Sequence, residues 1–331
     1  MSPLRVALVG VSHWHTGFYL EPLLAMGPSV RICGISDPDP QVQAAMGKRL
    51  GCPAWGDYRQ LCNQTQPDFV IALGRHCEMA ETAHFLIDEG LPFAMEKPCG
   101  IDSAQVAEIA ARAREKSVFA AVALVMRHGP LVQQVQAMLA EQDVSCASFR
   151  FIAGSAQRYM DNGCAWMLDP KQSGGGCTLN LGAHFFDLAQ QILGPEGRVV
   201  SATMSNAAWH YPVEDYSAVT LASGPRTVLI ETGYLYPAPT NHFDMHYAVR
   251  APDRYLTAWG PMDFEIRGYD GSVQRYDQST TNVPHYADFT NDVLQRLRKG
   301  QQPLAGLDDM YKSMRLIEQA YQMAGPLRIH A

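Results

Sequence analysis

The stretch Phe93-Ala94-Met95-Glu96-Lys97-Pro98 predicts a buried strand that ends at a charged edge. Its apolar half is typical of a strand, and the closing proline has no N–H to donate to a sheet ladder. Lys97 is therefore held at the carboxyl end of a strand, where open α/β sheets bind their ligands. Taken alone, Glu96-Lys97 also fits a solvated ion pair at a strand end. The sequence on both sides decides between these two interpretations.

Strand-like and helix-like segments alternate on both sides of this stretch. Short apolar runs that are typical of parallel strands cover 5–10, 30–35, 69–73, 93–95 and 118–125. Helical segments lie between them at 18–26, 41–50 and 78–89, and a further helix is expected to run through Glu115 with Ser103 as its N-cap. Strands that alternate with helices of about ten to fifteen residues indicate a doubly wound parallel sheet. We therefore expect a Rossmann dinucleotide-binding domain over residues 1–125.

The remainder of the chain has a different pattern. Its strand candidates are longer and alternate more clearly between polar and apolar residues, at 145–153, 198–208, 216–222, 226–234, 245–251, 255–259 and 263–267. Helical segments flank or interrupt them at 131–139, 179–193, 284–299 and 307–324. We expect an α+β substrate-binding and oligomerisation domain over 126–331, with a large open, mostly antiparallel sheet and a helix at 305–324 that can pack back on the first domain. An uncovered sheet face needs a partner, so we expect a homodimer or homotetramer through this sheet.

The composition indicates a packed globular protein, since 47% of the 331 residues are apolar and 18% are charged. A chain of this length is long for one core, which favours two domains. The net charge of −7 argues against a nucleic-acid partner. No apolar run approaches the roughly 18–20 residues of a membrane span, and no signal-type segment precedes the first strand, so we expect a cytoplasmic protein with no membrane partner. Eight scattered cysteines without a Cys-x-x-Cys pair indicate reduced thiols, not disulfides or a zinc site.

The loop after the first strand, Gly10-Val11-Ser12-His13-Trp14-His15, is an altered dinucleotide-binding loop. The G-x-G-x-x-G fingerprint keeps only Gly10, with Ser12 in place of the second glycine and His15 in place of the third. Backbone N–H groups and a helix N-terminus remain available to a phosphate, and Ser12 adds a hydroxyl. We take Gly10, Ser12, His13 and Trp14 as candidate cofactor-binding residues. His13 and His15 also resemble a metal pair, but no acid or cysteine set accompanies them, and we expect no metal.

Asp37, at the end of the next strand, is placed to bind an adenosine ribose. An acid there accepts the 2′-hydroxyl and repels a 2′-phosphate, which favours NAD over NADP. The sequence Asp37-Pro38-Asp39 also fits a turn that caps the following helix, and both interpretations are compatible. The other candidate cofactor residues lie at later strand ends: Leu73, Gly74, Arg75, Glu96 and Lys97.

A second polar cluster begins with Ser173-Gly174-Gly175-Gly176. Consecutive glycines indicate a backbone that is closely approached or adopts unusual dihedral angles. Asn180, His184 and Asp187 follow at helical spacing and share one face of an otherwise apolar helix. A solvent-exposed face is the simpler interpretation, but the glycines and the histidine between two potential hydrogen-bonding partners favour a functional site.

On these residues the chain resembles the glucose–fructose oxidoreductase/inositol dehydrogenase (Gfo/Idh/MocA) family. The resemblance rests on Glu96-Lys97-Pro98 after a Rossmann half and on S-G-G-G-x-x-L-N-L-G-A-H-x-x-D over 173–187, with support from Arg127 and Trp166. It implies a nicotinamide cofactor and oxidation of a ring hydroxyl of a sugar or cyclitol, or the reverse reduction. It places Lys97 and His184 beside the nicotinamide.

The resemblance leads to a mechanistic hypothesis. His184 is the base that takes the hydroxyl proton, and Lys97 hydrogen-bonds the same oxygen. Relatives commonly carry aspartate where this chain has Asn180, which cannot act as a base but can orient the substrate or His184. Glu96 either holds Lys97 or contacts the cofactor ribose. The candidate substrate contacts are Arg127, Arg158, Tyr159, Trp166, Asn180 and His184, although Trp166 equally fits a core residue.

Two alternative functions remain open at this point. The first is an enzyme that retains its NAD and uses transient oxidation for elimination, epimerisation or bond cleavage of a carbohydrate derivative. The second is a non-catalytic ligand sensor on the same scaffold, since one fold hosts many functions. Substrate specificity is expected in the loops at 155–172, 209–215 and 235–246, where Tyr236, His242 and His246 are possible contributors.

Overall fold

A computed structural model describes residues 2–141, 143–237 and 243–327, so His242 lies outside the described residues. The chain forms two compact units that are interleaved along the sequence. The first contains Met1–Ala123, Asn162–Cys164 and Tyr286–Tyr311, and the second contains Leu124–Asp161, Ala165–His285 and Lys312–Ala331. The domain boundary expected near residue 125 and the expected return of 305–324 stay predictions.

The first unit is built on a parallel sheet of six strands. They are β1 (Leu4–Val9), β2 (Val30–Ser36), β3 (Ala54–Trp55), β4 (Phe69–Ala72), β5 (Phe93–Met95) and β6 (Ala120–Val122). Their spatial order is β3-β2-β1-β4-β5-β6, and each neighbouring pair is parallel. This order confirms the predicted doubly wound sheet. The order reverses between β1 and β4, and ligands bind beside such a switch point at the carboxyl ends of the strands.

Helices connect the strands of this sheet. They are α1 (Thr16–Ala25), α2 (Pro40–Leu50), α3 (Tyr58–Thr65), α4 (His76–Asp88) and α5 (Ser103–Glu115). Aspartates begin three of them, because a carboxylate accepts an N–H of the first helical turn. Asp39, Asp57 and Asp102 accept from the N–H groups of Gln41, Arg59 and Gln105.

The second unit is built on a sheet of eight strands. They are β7 (Cys146–Gly154), β8 (Arg198–Ser205), β9 (Tyr216–Ser223), β10 (Arg226–Tyr236), β11 (Asp244–Arg250), β12 (Arg254–Ala258), β13 (Phe264–Gly268) and β14 (Val273–Tyr276). Their order is β14-β13-β12-β11-β7-β10-β9-β8. The β7–β10 pair is parallel and the other described pairs are antiparallel. The predicted mostly antiparallel sheet is therefore confirmed.

The remaining helices are α6 (Pro130–Glu141), α7 (Gln157–Asp161), α8 (Pro170–Ser173), α9 (Cys177–Asn180), α10 (Ala183–Leu193), α11 (His285–Arg298) and α12 (Leu307–Ala324). The prediction of one helix over 179–193 is wrong, because α9 and α10 are separated at Gly182. A Cβ on Gly182 would collide with the carbonyl oxygen of Thr178, so the chain is closely packed on itself at this break. Within the part of the chain that the structure describes, no helix combines the length and apolarity of a membrane span.

Candidate active site

Gly10 closes the end of β1 against the loop that follows β4. Its φ is +72°, a conformation that glycine adopts readily, and a Cβ there would lie 2.7 Å from the carbonyl oxygen of Leu73. Gly74, next along the β4 loop, also has a positive φ of +125°. The retained glycine of the fingerprint thus allows the first and fourth strand ends to touch.

His13 faces the inside of the same loop. Its Nδ1 accepts the backbone N–H of His15 at 3.1 Å, and its side chain is buried. Burial, together with the neighbouring His15, lowers the pKa of His13, so the imidazole is neutral at neutral pH. His13 therefore shapes the loop from within, whereas Ser12 is exposed on it.

Asp37 fastens this loop to the end of β2. One carboxylate oxygen accepts the backbone N–H of Ser12 at 2.6 Å, and the other accepts the backbone N–H of Asp39 at 3.1 Å. The side chain is only 1% exposed. Asp37 and Asp39 thus form the turn before α2, while Asp37 also lies at the strand end where a ribose acid is expected.

The start of α1 fits a dinucleotide phosphate. Among the described residues, Thr16 Oγ1 is buried without a hydrogen-bond partner, which leaves a hydroxyl to be satisfied. Gly17 is exposed, and a Cβ there would meet nothing within 4 Å. A helix N-terminus with an unsatisfied hydroxyl and open space beside it suits an anion. The start of α1 therefore offers a phosphate a hydroxyl and open space.

Two further cofactor candidates flank the loop. The Trp14 ring lies 3.9 Å from the His15 ring, centroid to centroid, and is partly exposed. Arg75 forms an ion pair with Glu78, which raises the pKa of Arg75, and Asp37 contributes to this shift at longer range. The ion pair with Glu78, in the first turn of α4, thus holds Arg75 close enough to Asp37 for the two charges to interact.

Glu96 is the centre of a buried polar cluster. Tyr19 donates its hydroxyl to Glu96 Oε2 at 2.6 Å, and His15 Nδ1 lies 3.2 Å from the same oxygen. The hydroxyl of Tyr286 lies 3.0 Å from His15 Nδ1 and 3.4 Å from both carboxylate oxygens. Burial raises the pKa of Glu96, but His15 outweighs it, with help from Lys97, and holds the pKa well below its ordinary value. Glu96 is therefore an ionised carboxylate inside the protein.

Lys97 follows directly and is also buried. Glu96 and Lys97 are 1% and 3% exposed, so the interpretation as a solvated ion pair is wrong. Glu96 Oε1 accepts the backbone N–H of Lys97 at 3.2 Å, which fixes the main chain at the root of the lysine. Nothing in the local sequence around Tyr19 or Tyr286 points to Glu96, so sequence patterns do not predict these two contacts.

In the second unit, the three glycines at 174–176 make room for neighbouring groups. A Cβ on Gly175 would collide with the hydroxyl of Tyr321, and one on Gly176 would collide with the carbonyl oxygen of Glu214. The Glu214 carboxylate accepts the backbone N–H groups of Gly176 at 3.0 Å and Thr178 at 2.8 Å, and the Tyr321 hydroxyl at 2.8 Å. Burial raises the pKa of Glu214 although these hydrogen bonds oppose the shift. Glu214 therefore holds the beginning of α9.

Asn180, at the end of α9, belongs to a buried hydrogen-bond network. Its Nδ2 donates to the hydroxyls of Tyr159 at 2.6 Å and Tyr234 at 3.2 Å. Arg158 donates to the Tyr159 hydroxyl at 2.8 Å and to the carbonyl of Gly154 at 3.0 Å. The Tyr159 oxygen thus accepts from two groups that can only donate. The structure brings three predicted substrate residues together: Arg158, Tyr159 and Asn180.

His184 lies in the first turn of α10 and is buried. Its neighbour Phe185 anchors the helix on the sheet, with its ring 5.6 Å from Phe149 of β7 and 5.3 Å from Tyr247 of β11. Asp187 forms a two-point ion pair with Arg127 through bonds of 2.8 and 2.6 Å. Arg127 thus fixes α10.

Asn180, His184 and Asp187 are all buried, so the alternative of a solvent-exposed face is wrong. Trp166, the last substrate candidate, lies partly exposed in a short 3₁₀ helix at Ala165–Leu168. Over residues 2–141, 143–237 and 243–327, no group of three or more His, Cys, Asp or Glu side chains is arranged to hold a metal ion.

A doubly wound sheet with a phosphate-type loop at its switch point, joined to a large open sheet, defines a nucleotide-dependent enzyme of the two-domain dehydrogenase class. Residues 4–124 match the model of an oxidoreductase family with an NAD-binding Rossmann fold. Residues 132–274 match the Gfo/Idh/MocA C-terminal domain. The chain therefore belongs to the Gfo/Idh/MocA family of NAD-binding oxidoreductases.

Similar proteins agree with this assignment. Trans-1,2-dihydrobenzene-1,2-diol dehydrogenase of Xenopus tropicalis is 22% identical over 286 residues, which cover 82% of this chain and 83% of the relative. A levoglucosan dehydrogenase bound to NADH and levoglucosan has a TM-score of 0.84 at 14% identity, covering 98% and 97% of the two chains. A 3-ketoreductase of Actinomadura kijaniata bound to NADP and TDP-benzene has a TM-score of 0.79 at 18% identity, covering 97% and 98%. At these identities the solved structures establish the shared fold.

Proposed function

We propose that this protein is an NAD-dependent dehydrogenase or reductase that acts on a secondary hydroxyl of a sugar, cyclitol or related polyol. The observation that carries the proposal is the buried Lys97, held at the carboxyl end of β5 next to the ionised Glu96. A buried ammonium at a ligand-binding edge is suited to stabilise an oxygen that gains negative charge. The levoglucosan bound by a similar dehydrogenase supports the substrate class.

In this mechanism the nicotinamide, when bound, supplies the acceptor or donor of the hydride. Gly10, Ser12 and the start of α1 hold its phosphates. Lys97 donates a hydrogen bond to the reacting oxygen, and His184 takes the hydroxyl proton during oxidation or returns it during reduction. Histidine is the side chain best suited to proton exchange at neutral pH.

Asn180 has a supporting role in the proposal. An amide cannot take a proton, and here it donates to Tyr159 and Tyr234, so we assign it to orientation of the substrate side. Arg158, Tyr159 and Trp166 complete that side. Arg127 acts through its ion pair with Asp187, because this pair engages its guanidinium.

We also propose a preference for NAD over NADP. Asp37 presents a buried carboxylate at the ribose position, and its charge repels a 2′-phosphate. Binding titrations with both cofactors test this, and tighter binding of NADP would overturn it. Asp37→Ser removes this repulsion, so it should bring the dissociation constants of NAD and NADP closer together.

A second candidate function is transient oxidation with a retained nicotinamide. It is favoured by Asn180, which replaces the aspartate common in similar enzymes. The ultraviolet spectrum of the purified protein distinguishes the two functions. Retention predicts a co-purified nicotinamide that does not accumulate in reduced form during turnover, whereas an ordinary dehydrogenase reduces added NAD stoichiometrically with substrate.

The main test is a screen of sugars and cyclitols for NAD reduction, followed by substitutions. Lys97→Ala and His184→Ala should each lower turnover by roughly 10²–10⁴-fold, as expected for loss of a group that acts on the reacting oxygen. The matched controls are Lys116→Ala, an exposed lysine paired with Asp88, and His84→Ala on α4. Near-normal rates in both active-site variants, or cofactor binding without turnover of any substrate, would contradict the proposal.

Finally, we propose that the protein forms a homo-oligomer through the outer face of the second sheet. Strand register places Leu229 and Tyr255 on that face, and both side chains are exposed. Exposed apolar side chains on an open sheet are suited to an interface between copies. Light scattering after chromatography measures the mass, and Leu229→Glu should lower it. A monomeric wild-type protein would contradict this.

A further inference from the structure

His15 occupies the third glycine position of the dinucleotide fingerprint, yet its imidazole points into the protein and is only 2% exposed. In the fingerprint this glycine lets the helix pack closely on a strand. Here the imidazole instead fills the space beside the start of α1. Its ring lies 3.9 Å from Trp14 and 5.3 Å from both Phe18 and Tyr286, centroid to centroid.

The polar contacts of this imidazole connect three separate elements. His15 ends the loop before α1, Glu96 follows β5, and Tyr286 belongs to α11. His15 Nδ1 lies 3.2 Å from Glu96 Oε2 and 3.0 Å from the hydroxyl of Tyr286. Tyr19 of α1 also contacts this carboxylate, because its hydroxyl donates a hydrogen bond to Glu96 Oε2 at 2.6 Å. The loop is thus tied to the segment that carries Lys97.

The main chain of His15 is fixed as well. Its N–H donates to Nδ1 of His13, so both the backbone and the side chain of this residue are held. A buried carboxylate that loses a hydrogen-bonded partner is strongly destabilised, which gives the contact a large energetic weight. His15 therefore stabilises the buried Glu96 carboxylate, and Glu96 in turn holds the loop in place.

We propose that His15 and Glu96 form a clamp that fixes the Gly10–His15 loop to the Lys97 segment, so that His15 is a positioning residue for the dinucleotide. In the fingerprint the third glycine holds the loop by letting the helix pack closely on a strand, and here the clamp holds the loop instead. The loop is stabilised by a buried hydrogen-bonded pair where the fingerprint uses close packing. This inference rests on the proposed binding of the cofactor by this loop.

The first test distinguishes the clamp from the alternative that His15, as a replacement for glycine, only weakens cofactor binding by the loop. His15→Gly restores the third glycine of the fingerprint, and if the histidine had merely weakened the loop, this variant would bind NAD more tightly. The clamp predicts the opposite, a dissociation constant raised about tenfold, which corresponds to the lower end of a charge-assisted hydrogen bond. Fluorescence titration with NAD measures this, and His84→Ala is the control. Unchanged or tighter binding by His15→Gly overturns the proposal.

The second test asks whether the two residues act together. His15→Ala, Glu96→Gln and the double variant are titrated with NAD. Partners in one clamp give a double variant hardly weaker than either single variant, whereas independent residues give losses that multiply. Tyr286→Phe keeps the ring and removes one hydroxyl, so it should weaken binding less than His15→Ala.

A third measurement is independent of the cofactor. Amide hydrogen exchange of the unliganded protein should become faster at 10–17 in His15→Ala and Glu96→Gln, while the peptide at 103–115 on α5 stays protected. Unchanged exchange at 10–17 overturns the clamp whatever the affinity for NAD. If exchange does become faster but the wild type binds neither NAD nor NADP, the clamp stands and the proposed function fails.

Discussion

Arg127 and Asp187 are joined by two parallel hydrogen bonds, Nε to Oδ2 at 2.8 Å and Nη2 to Oδ1 at 2.6 Å, with both side chains buried. Asp187 lies one helical turn after His184, and it also accepts from Gln191 at 3.0 Å. A planar fork of this kind restricts both position and rotation. The pair therefore fixes the helix that presents His184.

Breaking this pair should destabilise the protein strongly. Asp187→Asn leaves the Arg127 guanidinium buried without its charge partner, which typically lowers the free energy of unfolding by about 3–5 kcal/mol. Urea unfolding measures the change. Arg112→Ala is the control, because its pair with Asp88 is exposed and should contribute little. Equal stability of Asp187→Asn and the wild type would contradict a structural role for the pair.

The close approach of Tyr321 to Gly175 predicts a coupled pair of substitutions. Gly175→Ala introduces a methyl group where the Tyr321 hydroxyl lies, and overpacking of this kind lowers the free energy of unfolding by about 1–3 kcal/mol. In a Tyr321→Ala background the space is open, so the same change should be nearly neutral. A double-mutant cycle in urea measures this coupling. Equal effects in both backgrounds would mean that the glycine is needed for another reason.

Asn180→Asp should change the pH dependence of turnover. A carboxylate near His184 favours the charged imidazole and so raises the pKa of His184. Because a base must be neutral to accept a proton, the acid limb of the kcat/KM profile should move to higher pH. Asn180→Ala is the control, since it removes the amide without adding charge. Identical acid limbs in the wild type and Asn180→Asp would remove His184 from the role of base.

Glu96 and Glu214 should have opposite effects on stability as pH changes. The folded protein holds the pKa of Glu96 below its ordinary value of 4.5, so the ionised Glu96 stabilises the fold above that pH and this contribution is lost as the pH falls. The wild type should therefore exceed Glu96→Gln in stability at pH 7, with a smaller difference at pH 3. Urea unfolding at both pH values measures it.

Glu214 provides the comparison. Its pKa is raised, chiefly by burial, so ionisation of Glu214 weakens the folded state as the pH rises above 4.5. The advantage of the wild type over Glu214→Gln should then be smaller at pH 7 than at pH 3. Parallel pH trends for the two glutamine variants would contradict one of the two assignments.

Local sequence patterns were sufficient for the elements that depend on local chemistry. Helix α12 has the predicted bounds 307–324, because an apolar stripe at helical spacing is readable in the sequence. The prediction of Ser103 as the N-cap of α5 is wrong, because Asp102 caps this helix and Ser103 is its first residue. Seven strands of the second sheet, β7 to β13, lie within a few residues of their predicted positions, since their alternation matches one buried face. The edge strand β14, at Val273–Tyr276, was not predicted. The short β3, at Ala54–Trp55, was missed because two residues carry no periodicity.

The contacts that build the site were not readable in the sequence. Glu96 and Tyr286 are 190 residues apart along the chain, and no local signal connects them. In the sequence His15 is only a replacement for a glycine, because Glu96, the residue that it contacts, lies just after another strand. Asn180 was recognised as a departure from the family pattern, but its bonds to Tyr159 and Tyr234 depend on how three elements pack. Lys97 and His184 could be predicted as site residues because motifs surround them, and their roles stay predictions.

The order in which the chain is synthesised has a bearing on the first unit. The edge of β6 is covered by a later segment, where Val122 donates its N–H to Ala305 and Ala121 is bridged to Gly306. Tyr286 reaches the buried carboxylate from that same later part. A nascent chain that has emerged only as far as β6 therefore carries an uncovered strand edge and an incomplete core, which is an aggregation hazard. This unit can be completed only after the segment Tyr286–Tyr311 has left the ribosome.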